Sequence, residues 1–198
     1  MSFREILSMI VVLAVVSGVC GGGLAVVKMQ TAEQIEYQKI KNIKEPALKA
    51  ILSGYDNDPV TDRIKLVTGK DKKGKDVETT VFYAKKGGKV IAIAFEAYGG
   101  GFEGNVGIMM AVKIPDEVLD GIAATTHSET PSVGGVALNS PDFMGQFKGK
   151  SVGENFALSS GGGSINGYSG ATVSSEAATK AVTSGMEIFK KFKSEILG

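Results

Sequence analysis

Residues 77–97 read VETTVFYAKKGGKVIAIAFEA. Two runs rich in valine, isoleucine and aromatic residues, 77–84 and 89–97, flank Lys85-Lys86-Gly87-Gly88, a pattern that predicts a β-hairpin. Working outward, residues 60–113 read as a strand region, with further strands expected over 106–114 and 118–126. Residues 140–147 read as a short helix behind the Asn139-Ser140-Pro141 stop. Over 173–197, Ala178, Ala181, Val182, Phe189, Phe192 and Ile196 share one face at helical period, which predicts a closing helix packed on a sheet. No repeat on the order of 20–50 residues is visible. The expected soluble architecture is α+β, a twisted antiparallel sheet with covering helices.

Toward the amino end the pattern changes. Residues 6–27, ILSMIVVLAVVSGVCGGGLAVV, carry no charge. As a helix they span about 33 Å, against a hydrocarbon core of about 30 Å. Arg4 and Lys28 flank the run and are suited to reaching the headgroups. A cleaved signal peptide has a shorter apolar core, about 7–15 residues. A lipid-attachment box at Ser17-Gly18-Val19-Cys20 would want a small residue where Val19 stands. Residues 1–30 therefore read as an uncleaved single-pass transmembrane anchor in contact with lipid. Gly21, Gly22 and Gly23 let another helix approach closely, which implies a membrane partner. Basic residues lie on both sides of the span (Arg4, then Lys28, Lys39, Lys41 and Lys44), so the positive-inside rule assigns no orientation. Residues 31–43 continue the helix, Pro46 opens a short separate helix through Leu52, and Gly54 ends it. Residues 31–58 thus form a helical connector and 59–198 the soluble domain.

Composition narrows the chemistry. With 198 residues the chain holds one domain and an appendage. Lys plus Arg total 22 and Asp plus Glu 21, a net charge of +1 with no basic excess for nucleic acid. A single cysteine excludes an internal disulfide and any thiolate-built zinc or iron–sulfur site from this chain alone. Glycine, at 27 residues, is roughly twice its usual ~7 % share, so tight turns or close approach of backbone to a ligand are required. Residues 70–75 read as a solvated lysine-rich loop.

Three glycine-rich stretches carry the candidate chemistry. Residues 159–175, SSGGGSINGYSGATVSS, run straight into the closing helix. Amides at a helix start, with the helix dipole, form a ready phosphate site, and Ser169, Thr172, Ser174 and Ser175 add neutral donors. The alternative is a flexible linker ending in a helix cap. It is not a Walker loop, because no Gly-Lys-Ser/Thr follows. Residues 123–135, AATTHSETPSVGG, hold the only histidine, His127, two positions before Glu129. One histidine and one carboxylate complete neither a triad nor a metal shell, so no catalytic residue and no metal is assigned. A turn opened by Pro131 and closed by Gly134-Gly135 suits backbone lying against a flat ligand. In residues 98–107, YGGGFEGNVG, Tyr98 and Phe102 either stack on a planar ring or serve as core aromatics beside a bulge.

In that order, these motifs resemble the FMN-binding domain family. Ser169-Gly170-Ala171-Thr172 resembles its flavinylation motif. His127-Ser128-Glu129-Thr130-Pro131 with Gly134 resembles its His-x-Glu-Thr-Pro-Gly-Leu-Gly loop, and Tyr98-Gly99-Gly100 its glycine turn. The resemblance covers nearly the whole chain and extends to the anchored flavin subunits of Rnf-type ion-translocating ferredoxin–NAD oxidoreductases. The sodium-pumping NADH–quinone reductases are close relatives. It implies FMN joined by a phosphoester to Thr172, an electron-relay role inside a complex of membrane subunits, and a flavin domain on the extracytoplasmic side of the plasma membrane. Ser169, Gly170, Ala171, Ser174, Ser175, Glu129, Thr130, Pro131, Gly134, Tyr98, Gly99 and Gly100 would line the cofactor. A lone alcohol without an adjacent base does not activate itself, so a flavin transferase is the implied modifying enzyme. Two departures from the family pattern stand out: Asn166 stands where an aspartate is usual, and Ser132-Val133 replaces Gly-Leu. Competing readings are a non-redox anchored subunit and a self-contained flavin enzyme using His127.

Overall fold

The computed structural model describes residues 3–70 and 74–198. The chain divides into two compact units, Met1–Lys41 and Asn42–Gly198. The first is helical: α1 (Phe3–Lys39) contains a segment, Phe3–Ala32, long and apolar enough to cross a membrane. At 1.5 Å per residue those 30 residues reach about 45 Å, the thickness of a bilayer with its headgroups. Gly21, Gly22 and Gly23 remain within the helix.

A π turn (Ile40–Lys44) follows, then α2 (Glu45–Ile51), with Pro46 in its first turn, where a missing N–H costs nothing. Five strands come next: β1 (Arg63–Lys70), β2 (Asp76–Lys86), β3 (Lys89–Gly100), β4 (Asn105–Lys113) and β5 (Val118–Thr126). They form one antiparallel sheet in chain order. The β2–β3 hairpin turns on Gly87 and Gly88, both at positive φ (56° and 80°), a conformation that matches the twist of the flanking strands. Of the lysine-rich stretch 70–75, residues 71–73 lie outside the described residues, and Lys70 is the exposed end of β1.

The closing helix α5 (Thr172–Leu197) covers one face of the sheet. Its Ala177, Ala178, Ala181, Val182, Met186 and Phe189 pack with Val81, Ile93, Phe95, Ile108, Met110 and Val112. The other face is covered by α2, whose Ala47, Leu48 and Ile51 pack with Phe82, Ala92, Ala94, Met109 and Ala111. Burial on both faces explains why β3 and β4 read as nearly unbroken apolar runs rather than alternating ones. It also moves α2 out of the expected connector: this helix is one layer of the second unit's core.

Between β5 and α5 the chain makes a π turn (Pro131–Gly135), then α3 (Val136–Leu138) and α4 (Pro141–Met144). Two 3₁₀ turns follow, Gly145–Phe147 and Ser159–Gly161. Helix α4 and the first 3₁₀ turn occupy the expected helix at 140–147, capped by the Ser140 hydroxyl, which accepts from the Phe143 amide. The turn expected between Pro131 and Gly134-Gly135 is a helical one, in which the Thr130 carbonyl accepts from both the Val133 and Gly135 amides at 3.0 Å. Phe147 meets Phe143 edge-to-face and stacks on Phe156, forming an aromatic cluster.

Two close approaches position the site. Strand β3 pairs with β2 only as far as Phe95, and its last five residues pair with β4 alone. There α5 presses onto β3: a Cβ on Gly99 would collide with the Ala177 carbonyl. Only glycine lets helix and strand meet at that distance.

Candidate functional site

Helix α5 begins without a side-chain cap. Its N-cap residue is Ala171, and the first helical hydrogen bond runs from the Ser175 amide to the Ala171 carbonyl, 3.0 Å. The amides of Thr172, Val173 and Ser174 therefore meet no acceptor among the described residues, and the positive end of the helix dipole is open. Thr172 is exposed, and its hydroxyl has no hydrogen-bond partner among the described residues.

The chain reaches this point through a tight turn. Gly170 sits at φ 82°, a left-handed conformation that favours glycine, and the Ala171 amide donates to the Tyr168 carbonyl at 3.0 Å. Ser175, fully buried, closes the turn from inside. Its hydroxyl donates to the Ala171 carbonyl (2.9 Å) and accepts from the Tyr168 amide (3.0 Å). Upstream, Gln146 grips the backbone of Asn166 on both sides: its Oε1 accepts from the Asn166 amide (2.8 Å) and its Nε2 donates to the Asn166 carbonyl (3.0 Å). The side-chain change at 166 thus falls on a position whose backbone is held independently.

Glu129 ties the three glycine-rich stretches together. It is 5 % exposed. Its Oε1 accepts from the amides of Phe102 (2.8 Å) and Glu103 (3.1 Å), and its Oε2 accepts from the Ser174 hydroxyl. Burial pushes this carboxyl up. The Ser174 hydroxyl, the Glu103 and Phe102 amides and the nearby His127 together outweigh that and hold it below its ordinary value. A Cβ on Gly134 would sit against the Ser174 hydroxyl and 2.8 Å from Glu129 Cβ, so this packing requires glycine.

A cleft of about 410 Å³ opens where these parts meet, within the range of about 300–1,000 Å³ usual for small-molecule sites. Glu129, Thr130, Gly134, Gly170, Ala171, Thr172 and Ser174 line it, as do the exposed apolar side chains of Phe102, Val133 and Val173. No Lys or Arg is among the described lining residues, so an anion here would be met by helix amides. Thr172 also borders a second groove of about 490 Å³ that follows α5 past Glu176, Lys180 and Thr183 to Glu187.

Seven of the thirteen expected cofactor residues thus face one cleft. Ser169 is exposed beside it, Ser175 holds the turn from within, and Pro131 opens the π turn. Tyr98 is placed elsewhere, in a crevice of about 230 Å³ with Lys44 and Glu96. Tyr98 is half exposed there; partial burial, then the Glu96 charge and hydrogen bond, push its phenol above the ordinary range. Gly99 lies under α5, and Gly100 pairs with Asn105. Of the two aromatics weighed for stacking, Phe102 is the one at the cleft. Val133, noted in the sequence as part of a departure from the family loop, and Val173, whose only sequence signal is apolar character beside the motif, both line the cleft. His127 is half-buried, with Nδ1 enclosed and without a partner among the described residues, and it does not line the cleft.

Comparison with known proteins follows the same outline. Residues 101–187 match the FMN-binding domain family. The chain is 28 % identical over 190 residues to the G subunit of the ion-translocating oxidoreductase complex of Shewanella baltica, covering 93 % of this chain and 89 % of that protein. A protein of the same name from Methanosarcina acetivorans is 27 % identical over 187 residues, covering 93 % and 94 %. Among solved structures, NqrC of Shewanella oneidensis superposes with a TM-score of 0.51 at 20 % identity, over 71 % of this chain and 74 % of that one. The C subunit of the Na⁺-translocating NADH–quinone reductase of Parabacteroides distasonis superposes at 0.57 and 17 % identity, over 82 % and 96 %. At these identities the structural likeness establishes the fold.

Proposed function

We propose that this chain, which carries an FMN-binding domain over residues 101–187, is the electron-carrying subunit of a membrane-bound ion-translocating oxidoreductase of the Rnf type, with FMN joined through its phosphate to Thr172. One observation carries the attachment site: an exposed, unpartnered threonine hydroxyl at the open start of α5, on the rim of the cleft. When bound, the flavin supplies the electron chemistry, and the protein supplies binding and electrostatics.

The residues fit the group. The amides of Val173 and Ser174 and the dipole of α5 favour a phosphate at Thr172. Phe102, Val133 and Val173 offer apolar surface to a flat ring, and Gly134 and Gly170 keep side chains out of its way. Among the described residues no base reaches Thr172 and its hydroxyl has no partner, so attachment falls to a flavin transferase acting from outside. Helix α1 anchors the protein in the plasma membrane among the other subunits of the complex, with the flavin domain on the extracytoplasmic side. The described side chains of the cleft hold no acid–base pair, which favours relay over catalysis by this chain alone. The likeness of fold to the C subunit of the sodium-pumping quinone reductase supports a second reading as its equivalent. Sequence similarity over nine-tenths of the chain to the G subunits favours the first.

The test is direct. Full-length protein co-expressed with a flavin transferase should fluoresce as a band on a denaturing gel, with an FMN adduct on the peptide containing Thr172. Thr172→Ala should lose both. A dark wild-type band, or equal fluorescence from the variant, would overturn the attachment.

A further inference from the structure

Resting on the flavin reading above, we propose that Glu129 is a positioning residue that sets the flavin's reduction potential, by fixing a buried negative charge in the wall of the cleft it shares with Thr172. The carboxylate is nearly inaccessible to water yet lines the cleft. Its three hydrogen-bond donors, the Phe102 and Glu103 amides and the Ser174 hydroxyl, are neutral, so they spread the charge without cancelling it. Among the described residues no Lys or Arg lines the cleft to offset it. Gly134 enforces the arrangement, since any side chain there would separate Ser174 from Glu129.

The electrostatic sign follows. Two-electron reduction of a flavin by an added reductant takes up two electrons and, near neutrality, one proton, leaving one negative charge on the ring system. A fixed like charge in a poorly solvated wall disfavours that product. Glu129 therefore lowers the potential and makes the reduced flavin a stronger donor. The same carboxylate holds the Phe102–Glu103 turn against α5, so its two roles have to be separated by experiment.

The measurement is a potentiometric titration of the full-length flavinylated protein in detergent, with dithionite as reductant. Glu129→Gln keeps the shape and an oxygen for the Phe102 and Glu103 amides but removes the charge. The expected result is a rise in potential of at least tenfold in the reduced-to-oxidised ratio, about 30 mV for a two-electron couple. Ser174→Ala removes a donor that stabilises the charge and should move the potential the other way. Glu195→Gln, exposed in the last turn of α5 and away from the cleft, should leave it in place. An unmoved Glu129→Gln, or Glu129 and Ser174 variants shifting in the same direction, would mean a purely mechanical clamp and overturn the proposal. If Glu129→Gln does not accumulate, Ser174→Ala decides alone: a downward shift supports the proposal, and none or an upward one overturns it. Intact mass on the same samples separates the two levels. A wild type without adduct sinks the flavin reading itself, whereas adduct with unmoved potentials sinks only the role of Glu129.

Discussion

At Glu129, desolvation and hydrogen bonding pull in opposite directions, and the outcome fixes how the apo-protein responds to acid. The carboxyl is held below its ordinary value in the folded state, so it binds its proton less readily there than in the unfolded chain. Its contribution to stability is therefore complete above the unfolded value, near 4.5, and is lost as the pH falls through the depressed folded one. Denaturant titrations of the apo-protein should show stability falling below about pH 4.5, with Glu129→Gln flattening that part of the profile. Glu129→Ala should cost about 1–3 kcal/mol at pH 7, because it strands the Phe102 and Glu103 amides in a buried place. An acid profile unchanged by Glu129→Gln would show that other carboxylates govern this limb.

The start of α5 shows how an element becomes a site. An amphipathic helix of 26 residues is stabilised by its apolar face against the sheet, so its first turn can go uncapped without unravelling the rest. What holds the approach to that turn is one buried hydroxyl: Ser175 bridges the Ala171 carbonyl and the Tyr168 amide, where a cap would otherwise act on the helix start. Ser175→Ala should lower stability by about 1–2 kcal/mol in urea titrations, through two lost hydrogen bonds inside the core. Because the 168–171 turn then loses its inner clasp, flavin incorporation should fall further than stability does, read as adduct fraction by intact mass. Equal incorporation at equal expression would mean that the turn holds its shape without Ser175. Phe189, fully buried on the same helix, has no contact with the cleft and serves as the packing control.

Over the whole molecule, the two units rest on different physics. Residues 42–198 have their own two-sided core, with α5 on one face of the sheet and α2 on the other. Expressed alone, they should be soluble and give a cooperative thermal transition, while full-length protein should need detergent for extraction. A truncation at residue 59, which removes α2, should expose Phe82, Met109 and Ala111 and aggregate. Much of this was legible in the chain. The apolar run at 6–27, the Gly87-Gly88 hairpin and the periodic face of α5 are local patterns, set by backbone geometry and solvent within a few residues. The three glycine-rich motifs were also legible as candidates, since glycine marks turns and close approach wherever it clusters. Their meeting was not, because Phe102, Glu129 and Ser174 are distant in sequence and converge only after β3, β4 and α5 have packed. The same packing sent Tyr98 into a separate crevice and left Phe102 at the cleft, a choice made by β3 and its following turn rather than by either aromatic. The sequence alone determined which pieces form, because local chemistry governs turns, helices and apolar faces. Only the tertiary structure decided which side chains share a cleft, because that depends on long-range register and on where a buried charge finds its donors.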